Sequence, residues 1–121
     1  MKKVLVVDDS QSIRNEISNA LGQEGFTVVE AADGSEAFLR LAEHNNICLI
    51  VLDVNMPGMN GVEVLEKLKT DHAARNLPVL MLTTEAERTL IERAKKAGAK
   101  GWLLKPIKPN LLVSTVTRLA L

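Results

Sequence analysis

The sequence predicts a single α/β domain built on a parallel sheet with helices on both faces. Five short apolar runs alternate along the 121 residues with five amphipathic stretches of helical period. The runs are continuous and rich in β-branched residues, which is typical of strands that are covered on both faces. Strict alternation of strand and helix favours right-handed crossovers and therefore a doubly wound sheet. At this length we expect one domain over residues 1–121.

The five apolar runs are the predicted strands, and each is four to six residues long. They are Val4–Val7, Thr27–Ala31, Ile47–Leu52, Val79–Leu82 and Gly101–Leu104.

Capping residues mark the predicted helices between these strands. Ser10 is a suitable N-cap for the first helix, which should end by Gly25. Pro109 suits the first turn of the last helix. Three further pairs have the spacing of a capping box: Asp33 with Glu36, Asn60 with Glu63, and Thr84 with Glu87.

Composition excludes several classes of protein. Fifteen basic residues balance fifteen acidic ones, so we expect no direct nucleic-acid partner. No apolar run approaches the roughly 20 residues of a membrane span, and the start of the chain lacks the layout of a signal peptide. The single cysteine, Cys48, cannot form an internal disulfide, which fits a reducing compartment. We therefore expect a cytoplasmic protein without membrane insertion, with Cys48 packed in its core.

Polar side chains follow four of the five predicted strands. Asp8 and Asp9 follow the first strand, Asp53 the third, Thr83 the fourth and Lys105 the fifth. Ligands of open α/β sheets bind outside the carboxyl ends of the strands. We therefore expect three carboxylates, a hydroxyl and an ammonium group to meet at one edge of the sheet.

This set of side chains predicts a divalent cation and phosphoryl chemistry. Three clustered carboxylates repel one another unless a cation neutralises them, and their hard oxygens suit Mg²⁺. No His or Cys joins the set, which argues against zinc. Beside such a cation, a carboxylate can attack phosphorus, while a lysine and a hydroxyl bind the phosphoryl oxygens. Asp53 is the best candidate for the nucleophile because it ends what should be a central strand.

Taken together, these motifs resemble the signature of the two-component receiver domain along essentially the whole chain. The motifs are Asp8-Asp9, Asp53, Met56-Pro57-Gly58-Met59-Asn60-Gly61, Thr83 and Lys105-Pro106. The resemblance implies a flavodoxin-like (βα)5 fold with strand order 2-1-3-4-5.

The resemblance also implies a role for each site residue. Asp53 would be the phosphoacceptor, and Asp9 and Asp53 would ligate Mg²⁺ directly, with Mn²⁺ able to substitute. Asp8 would hold a metal-bound water, and Asn55 would offer its backbone carbonyl. Thr83 and Lys105 would bind the phosphoryl group, and the Lys105-Pro106 bond would be cis.

Trp102 has two interpretations. It can simply fill the edge of the sheet. Alternatively, it occupies the switch-aromatic position of the family, where Tyr or Phe is commoner, and its larger indole would obstruct inward rotation behind Thr83.

The function implied is a phosphorylation-dependent signalling switch of a two-component system rather than a turnover enzyme. A sensor histidine kinase or a histidine phosphotransfer protein would donate the phosphoryl group to Asp53. The receiver itself would assist this transfer and the later hydrolysis. Phosphorylation would shift the face formed by the fourth helix, fifth strand and fifth helix, where a downstream protein would bind. Because the chain ends with its fifth helix, we expect a stand-alone receiver of the chemotaxis type.

Three alternatives remain at this point. The chain can be a receiver excised from a longer regulator with an output domain. A phosphatase with an aspartyl nucleophile requires a second Asp two residues later, where this sequence has Asn55. A flavin-binding electron carrier requires a phosphate loop after the first strand, where Asp8 and Asp9 would repel phosphate.

The lifetime of the phosphorylated state is expected to be short. In the family, the residues two after the phosphoacceptor and two after the switch hydroxyl flank the path of the attacking water, and these are Asn55 and Glu85 here. Both can orient that water, so we expect self-dephosphorylation at the fast end of the family, although Thr84 can crowd the route.

Overall fold

A computed structural model describes residues 2–56, 58, 60–84 and 88–120, which form strands and helices in strict alternation. The strands are β1 (Lys3–Val7), β2 (Thr27–Ala31), β3 (Ile47–Asp53), β4 (Val79–Thr83) and β5 (Gly101–Leu104). The helices are α1 (Gln11–Gly22), α2 (Gly34–Glu43), α3 (Gly61–Leu68), α4 (Arg88–Lys96) and α5 (Pro109–Leu119). Within these ranges, no helix combines the length and the apolar character needed to cross a lipid bilayer.

The sheet is parallel throughout and has the order β2-β1-β3-β4-β5, which confirms the predicted fold class. Strand β3 is central, with hydrogen-bonded neighbours on both sides. Apolar side chains form two cores, one on each face of the sheet. The core on one face includes side chains of α1 and α5, and the other includes side chains of α2, α3 and α4.

Burial on both faces holds for the inner strands but not for the edges. Strands β3 and β4 are almost entirely buried, whereas β2 and β5 consist mainly of half-buried or exposed residues. An edge strand has a neighbour on one side only, and here the flanking helices cover the middle of the sheet. Cys48 packs against the α1–α5 core but is only half-buried, so the prediction of core packing is met in part.

The ends of α1 and α2 agree only partly with their predicted signals. Ser10 caps α1 by accepting a hydrogen bond from the Ile13 amide at 3.3 Å, but α1 ends at Gly22 rather than at Gly25. Asp33 caps α2, yet the Glu36 carboxylate accepts from the Ala32 amide at 2.9 Å and does not complete the predicted box.

The later helices begin as predicted where they are described. Asn60 and Glu63 form a reciprocal capping box at the start of α3, and Pro109 opens α5. The predicted cap partner of Thr84, Glu87, lies outside the described residues.

Candidate functional site

The polar residues of the strand ends meet at one edge of the sheet. Asp53 is the last residue of β3 and Asp8 follows β1, and both are buried, whereas Asp9 is exposed. Carboxylate oxygens of these three residues lie within 4.8 Å of one another. Adjacent parallel strands that end in register thus bring two separated sequence motifs, Asp8-Asp9 and Asp53, into one acidic cluster.

Lys105 brings a positive charge to two of these carboxylates. Its Nζ lies 3.0 Å from Asp53 Oδ1 and 3.3 Å from Asp8 Oδ2. The backbone places this lysine, because its amide donates to the Thr83 carbonyl at 2.7 Å and extends the β4–β5 ladder by one residue. The Lys105–Pro106 peptide bond that follows is cis.

The electrostatics of the cluster disfavour ionisation of Asp53 unless further positive charge is present. Burial and the neighbouring Asp8 carboxylate raise the pKa of Asp53 to about 6, although Lys105 opposes them. Burial lowers the pKa of Lys105, but its bonds and charge contacts with Asp53 and Asp8 outweigh that effect and raise this pKa overall. Lys105 therefore stays protonated at neutral pH and supplies only part of the charge that the carboxylates need.

The loop after β3 fixes the backbone that carries Asp53. The Asn55 amide donates to Asp53 Oδ1 at 3.3 Å, and the Gly61 amide donates to the Val54 carbonyl at 2.8 Å. A Cβ on Gly61 would lie 2.8 Å from the Asp53 carbonyl carbon, closer than side-chain carbons approach backbone atoms. Glycine at this position therefore lets α3 begin in direct contact with the end of β3.

The donor set fits a divalent cation. Asp8 Oδ2 and Asp53 Oδ2 are fully buried without a hydrogen-bond partner, although Asp8 Oδ2 is near the Lys105 ammonium group. A buried carboxylate oxygen without a partner is costly, and coordination to a cation satisfies it. Carboxylates alone favour Mg²⁺ or a similar hard cation. Asp8, Asp9 and Asp53 are the residues present that would hold it.

Of the two predicted switch residues, Thr83 lies next to this cluster and Trp102 lies at the sheet surface. Thr83 ends β4 and is buried, and its hydroxyl donates to the Thr84 carbonyl at 3.2 Å. Trp102 pairs with Met81, two residues before Thr83, so Trp102 and Thr83 share a face of the sheet. The indole is 40% exposed, and Lys95 Nζ of α4 lies 4.5 Å from its ring centroid.

Sequence reasoning missed one contact of the acidic cluster and one contact of Trp102. It also made predictions for residues that the structure does not describe. It attached no role to Arg14, which donates to the Asp8 carbonyl, or to Lys95. The residues concerned that lie outside the described part are Pro57, Met59, Glu85 and Glu87.

The sequence as a whole matches one protein family. Residues 4–117 match the response regulator receiver domain, and the fold and the acidic strand-end cluster described above agree with that match. The chain therefore belongs to the response regulator receiver family. Members of this family are signalling switches of two-component systems rather than classical enzymes, and they generally bind Mg²⁺.

Its relatives include chemotaxis proteins. The chain is 37% identical to the chemotaxis protein CheY of Pseudomonas aeruginosa over 97% of its own length and 94% of the relative. Among solved structures, it is similar to the chemotaxis protein CheY4 of Vibrio cholerae, with a TM-score of 0.91, 41% identity and 98% coverage of both chains. The receiver domain of NtrX from Brucella abortus gives a TM-score of 0.89 at 28% identity, covering 97% of both chains.

Proposed function

We propose that this chain is a phosphorylation-dependent switch in which Asp53 accepts a phosphoryl group from a phosphohistidine on a kinase or a phosphotransfer protein. The observation that carries the proposal is the Asp53 carboxylate itself, buried at the end of the central strand. Lys105 lies 3.0 Å from it, and two further carboxylates complete the cluster. Such a site holds a nucleophile and positive charge where a phosphoryl group would be transferred.

The residues of the site divide the work of the transfer. An Asp53 carboxylate oxygen forms a bond to phosphorus, the P–N bond of the phosphohistidine breaks, and its electron pair returns to the imidazole nitrogen. Lys105 neutralises charge on the phosphoryl oxygens, and the Thr83 hydroxyl turns from the Thr84 carbonyl to bind one of them. A bound Mg²⁺, held by Asp8, Asp9, Asp53 and the Asn55 carbonyl, would supply further positive charge to these oxygens.

The face proposed to read out phosphorylation is formed by α4, β5 and α5. Four large hydrophobic side chains are notably exposed among the described residues, and three of them, Trp102, Leu104 and Leu111, line one groove of about 310 Å³ on β5 and α5. Exposed apolar side chains that cluster in a groove are typical of a protein-binding surface. A downstream protein would bind here, with its affinity set by the state of Asp53.

The relatives are named as chemotaxis proteins, and this supports a role for the chain in chemotaxis signalling. We infer that residues 1–121 form one receiver unit that acts in the cytoplasm. Signalling would pass from protein to protein, without direct contact to nucleic acid or membrane. The self-dephosphorylation expected from Asn55 and Glu85 fits a switch that must reset quickly.

The test is phosphorylation of the purified chain by phosphoramidate, a small donor with a P–N bond. With Mg²⁺, intact-protein mass spectrometry should show one added phosphoryl group, which hydroxylamine removes. Asp53→Asn should show none, because an amide cannot attack phosphorus. Asp33→Asn is the matched control, since this exposed aspartate caps α2 and is not a member of the acidic cluster. Equal labelling of Asp53→Asn and wild type would refute the assignment.

A further inference from the structure

Arg14 connects three separate segments beside the acidic cluster. Its Nε lies 3.0 Å from Glu30 Oε1 on β2, and one terminal nitrogen donates to Gln11 Oε1 at 2.7 Å. The other terminal nitrogen donates to the backbone carbonyl of Asp8. The side chain is only 11% exposed, so the planar guanidinium is held in one orientation by all three partners.

The Asp8 carbonyl is the informative partner. It belongs to the peptide bond that joins Asp8 to Asp9, two carboxylates of the cluster. Because a peptide unit is planar, holding this oxygen also holds the Cα atoms of Asp8 and Asp9, from which the two side chains leave the backbone. The Asp8 amide donates to Ala31 at 3.1 Å, and Asp8 Oδ1 accepts from the Ser10 amide at 2.9 Å. With Lys105 beside Asp8 Oδ2, Arg14 supplies the contact that holds the backbone carbonyl of this residue.

Burial makes that contact necessary. Asp8 is 0% exposed, so its carbonyl oxygen has no access to solvent and requires a partner within the protein. If Arg14 only joined α1 to β2, its ion pair with Glu30 would be sufficient, and a lysine could also form that ion pair. The fork of an arginine is required to bind Glu30, Gln11 and the Asp8 carbonyl at the same time.

We propose that Arg14 is a positioning residue for the metal-binding carboxylates, and that it acts by fixing the Asp8–Asp9 peptide bond. The inference rests on the proposed function, because it concerns the binding of Mg²⁺ to this cluster. Loss of the contact would let the plane of this peptide unit change its orientation through the flanking φ and ψ angles, and would misalign both carboxylates. Residues that orient metal ligands in this way commonly contribute tenfold or more to metal affinity, on the order of 10- to 100-fold.

The test compares two arginine-to-lysine variants of the full chain by calorimetric titration with Mg²⁺. Arg14→Lys keeps the positive charge but loses the fork, and it should raise the Kd for Mg²⁺ about tenfold. Arg40→Lys is the matched control, because Arg40 likewise donates from a helix to a backbone carbonyl, in its case that of Glu30 on β2, at 3.1 Å. It should leave the Kd within about twofold of wild type, although both variants lose hydrogen bonds and some thermal stability.

The outcomes separate this inference from the proposed function. If wild type binds Mg²⁺ and Arg14→Lys binds it equally well, Arg14 is only a structural tie and the inference is overturned. If wild type does not bind Mg²⁺, the metal site itself fails, and the inference with it.

Glu30→Gln covers the case in which Arg14→Lys does not fold. It weakens the ion pair but leaves the guanidinium on the Asp8 carbonyl, so it should bind Mg²⁺ within about threefold of wild type. A tenfold loss in Glu30→Gln would assign the effect to the ion pair and would also overturn the inference.

Discussion

Asp53 and Trp102 lie on the same sheet, two strands apart, yet their surroundings are opposite in kind. Asp53 ends the central strand, is 1% exposed, and is held by Lys105 and by the Asn55 amide. Trp102 lies on the edge strand, is 40% exposed, and has the Lys95 ammonium group over its ring. The buried site confines charge where few arrangements are possible. The edge strand carries side chains that can change position without disrupting a core.

Asp53→Asn should give the largest change in stability, because it removes a charge from the buried site. Because the folded pKa of about 6 lies above the unfolded value of 3.8, the folded protein holds this proton more tightly. The stabilisation of the folded state by this bound proton is therefore fully present below pH 4, and it is lost as pH rises through 6. In chelator at pH 8, Asp53→Asn should be more stable than wild type by on the order of 3 kcal/mol in urea denaturation.

The same measurement at lower pH is the control. The difference between Asp53→Asn and wild type should shrink toward zero as pH falls to about 4, because wild-type Asp53 then carries its proton. A difference that does not change with pH would show that the charge of Asp53 is not the cause.

Lys105→Met should have a smaller effect in the opposite direction. It leaves the buried Asp8 and Asp53 carboxylates facing each other without their ammonium partner, so metal-free protein at pH 8 should lose about 2 kcal/mol. Mg²⁺ should restore more stability to this variant than to wild type, since the cation replaces the lost charge. Lys108→Met, which changes an exposed lysine three residues later, should change neither quantity. Equal responses of the two variants would contradict the role of Lys105.

Lys95→Gln should give the smallest effect, at the edge strand. The cation–π contact is worth about 1 kcal/mol at such an exposed site, so its loss should free the indole with little change in stability. Because Trp102 is the only tryptophan, its emission and its quenching by acrylamide report this directly. Lys96→Gln is the matched neighbour and should leave both signals as in wild type. Identical signals in the two variants would mean that Lys95 does not hold Trp102.

Periodicity and strand-end residues predicted most of the fold and the composition of the site. Alternating apolar runs located the five strands to within a residue at each end, because buried parallel strands have continuous apolar sequences. The strand order came from the resemblance rather than from the pattern. The cluster of Asp8, Asp9 and Asp53 followed from the geometry of parallel sheets, whose strand ends lie side by side.

The contacts that the sequence did not predict depend on side chains that are far apart in sequence. The ring contact of Lys95 with Trp102 joins residues on different elements, and no spacing rule relates them. Arg14 did leave a signal that passed unnoticed. It lies close to the N-terminus of α1, where the helix dipole disfavours a cation, and a cation there indicates another partner nearby.

The contact between Gly61 and the end of β3 has a consequence for how the chain tolerates change. Any other amino acid at this position carries a Cβ that would push against the backbone of Asp53, the residue proposed to receive the phosphoryl group. A variant at position 61 would thus lose signalling by displacing the nucleophile, although the glycine itself has no side chain with which to take part in the chemistry. Screens that score each position by loss of signal would rank Gly61 beside Asp53 for a purely spatial reason.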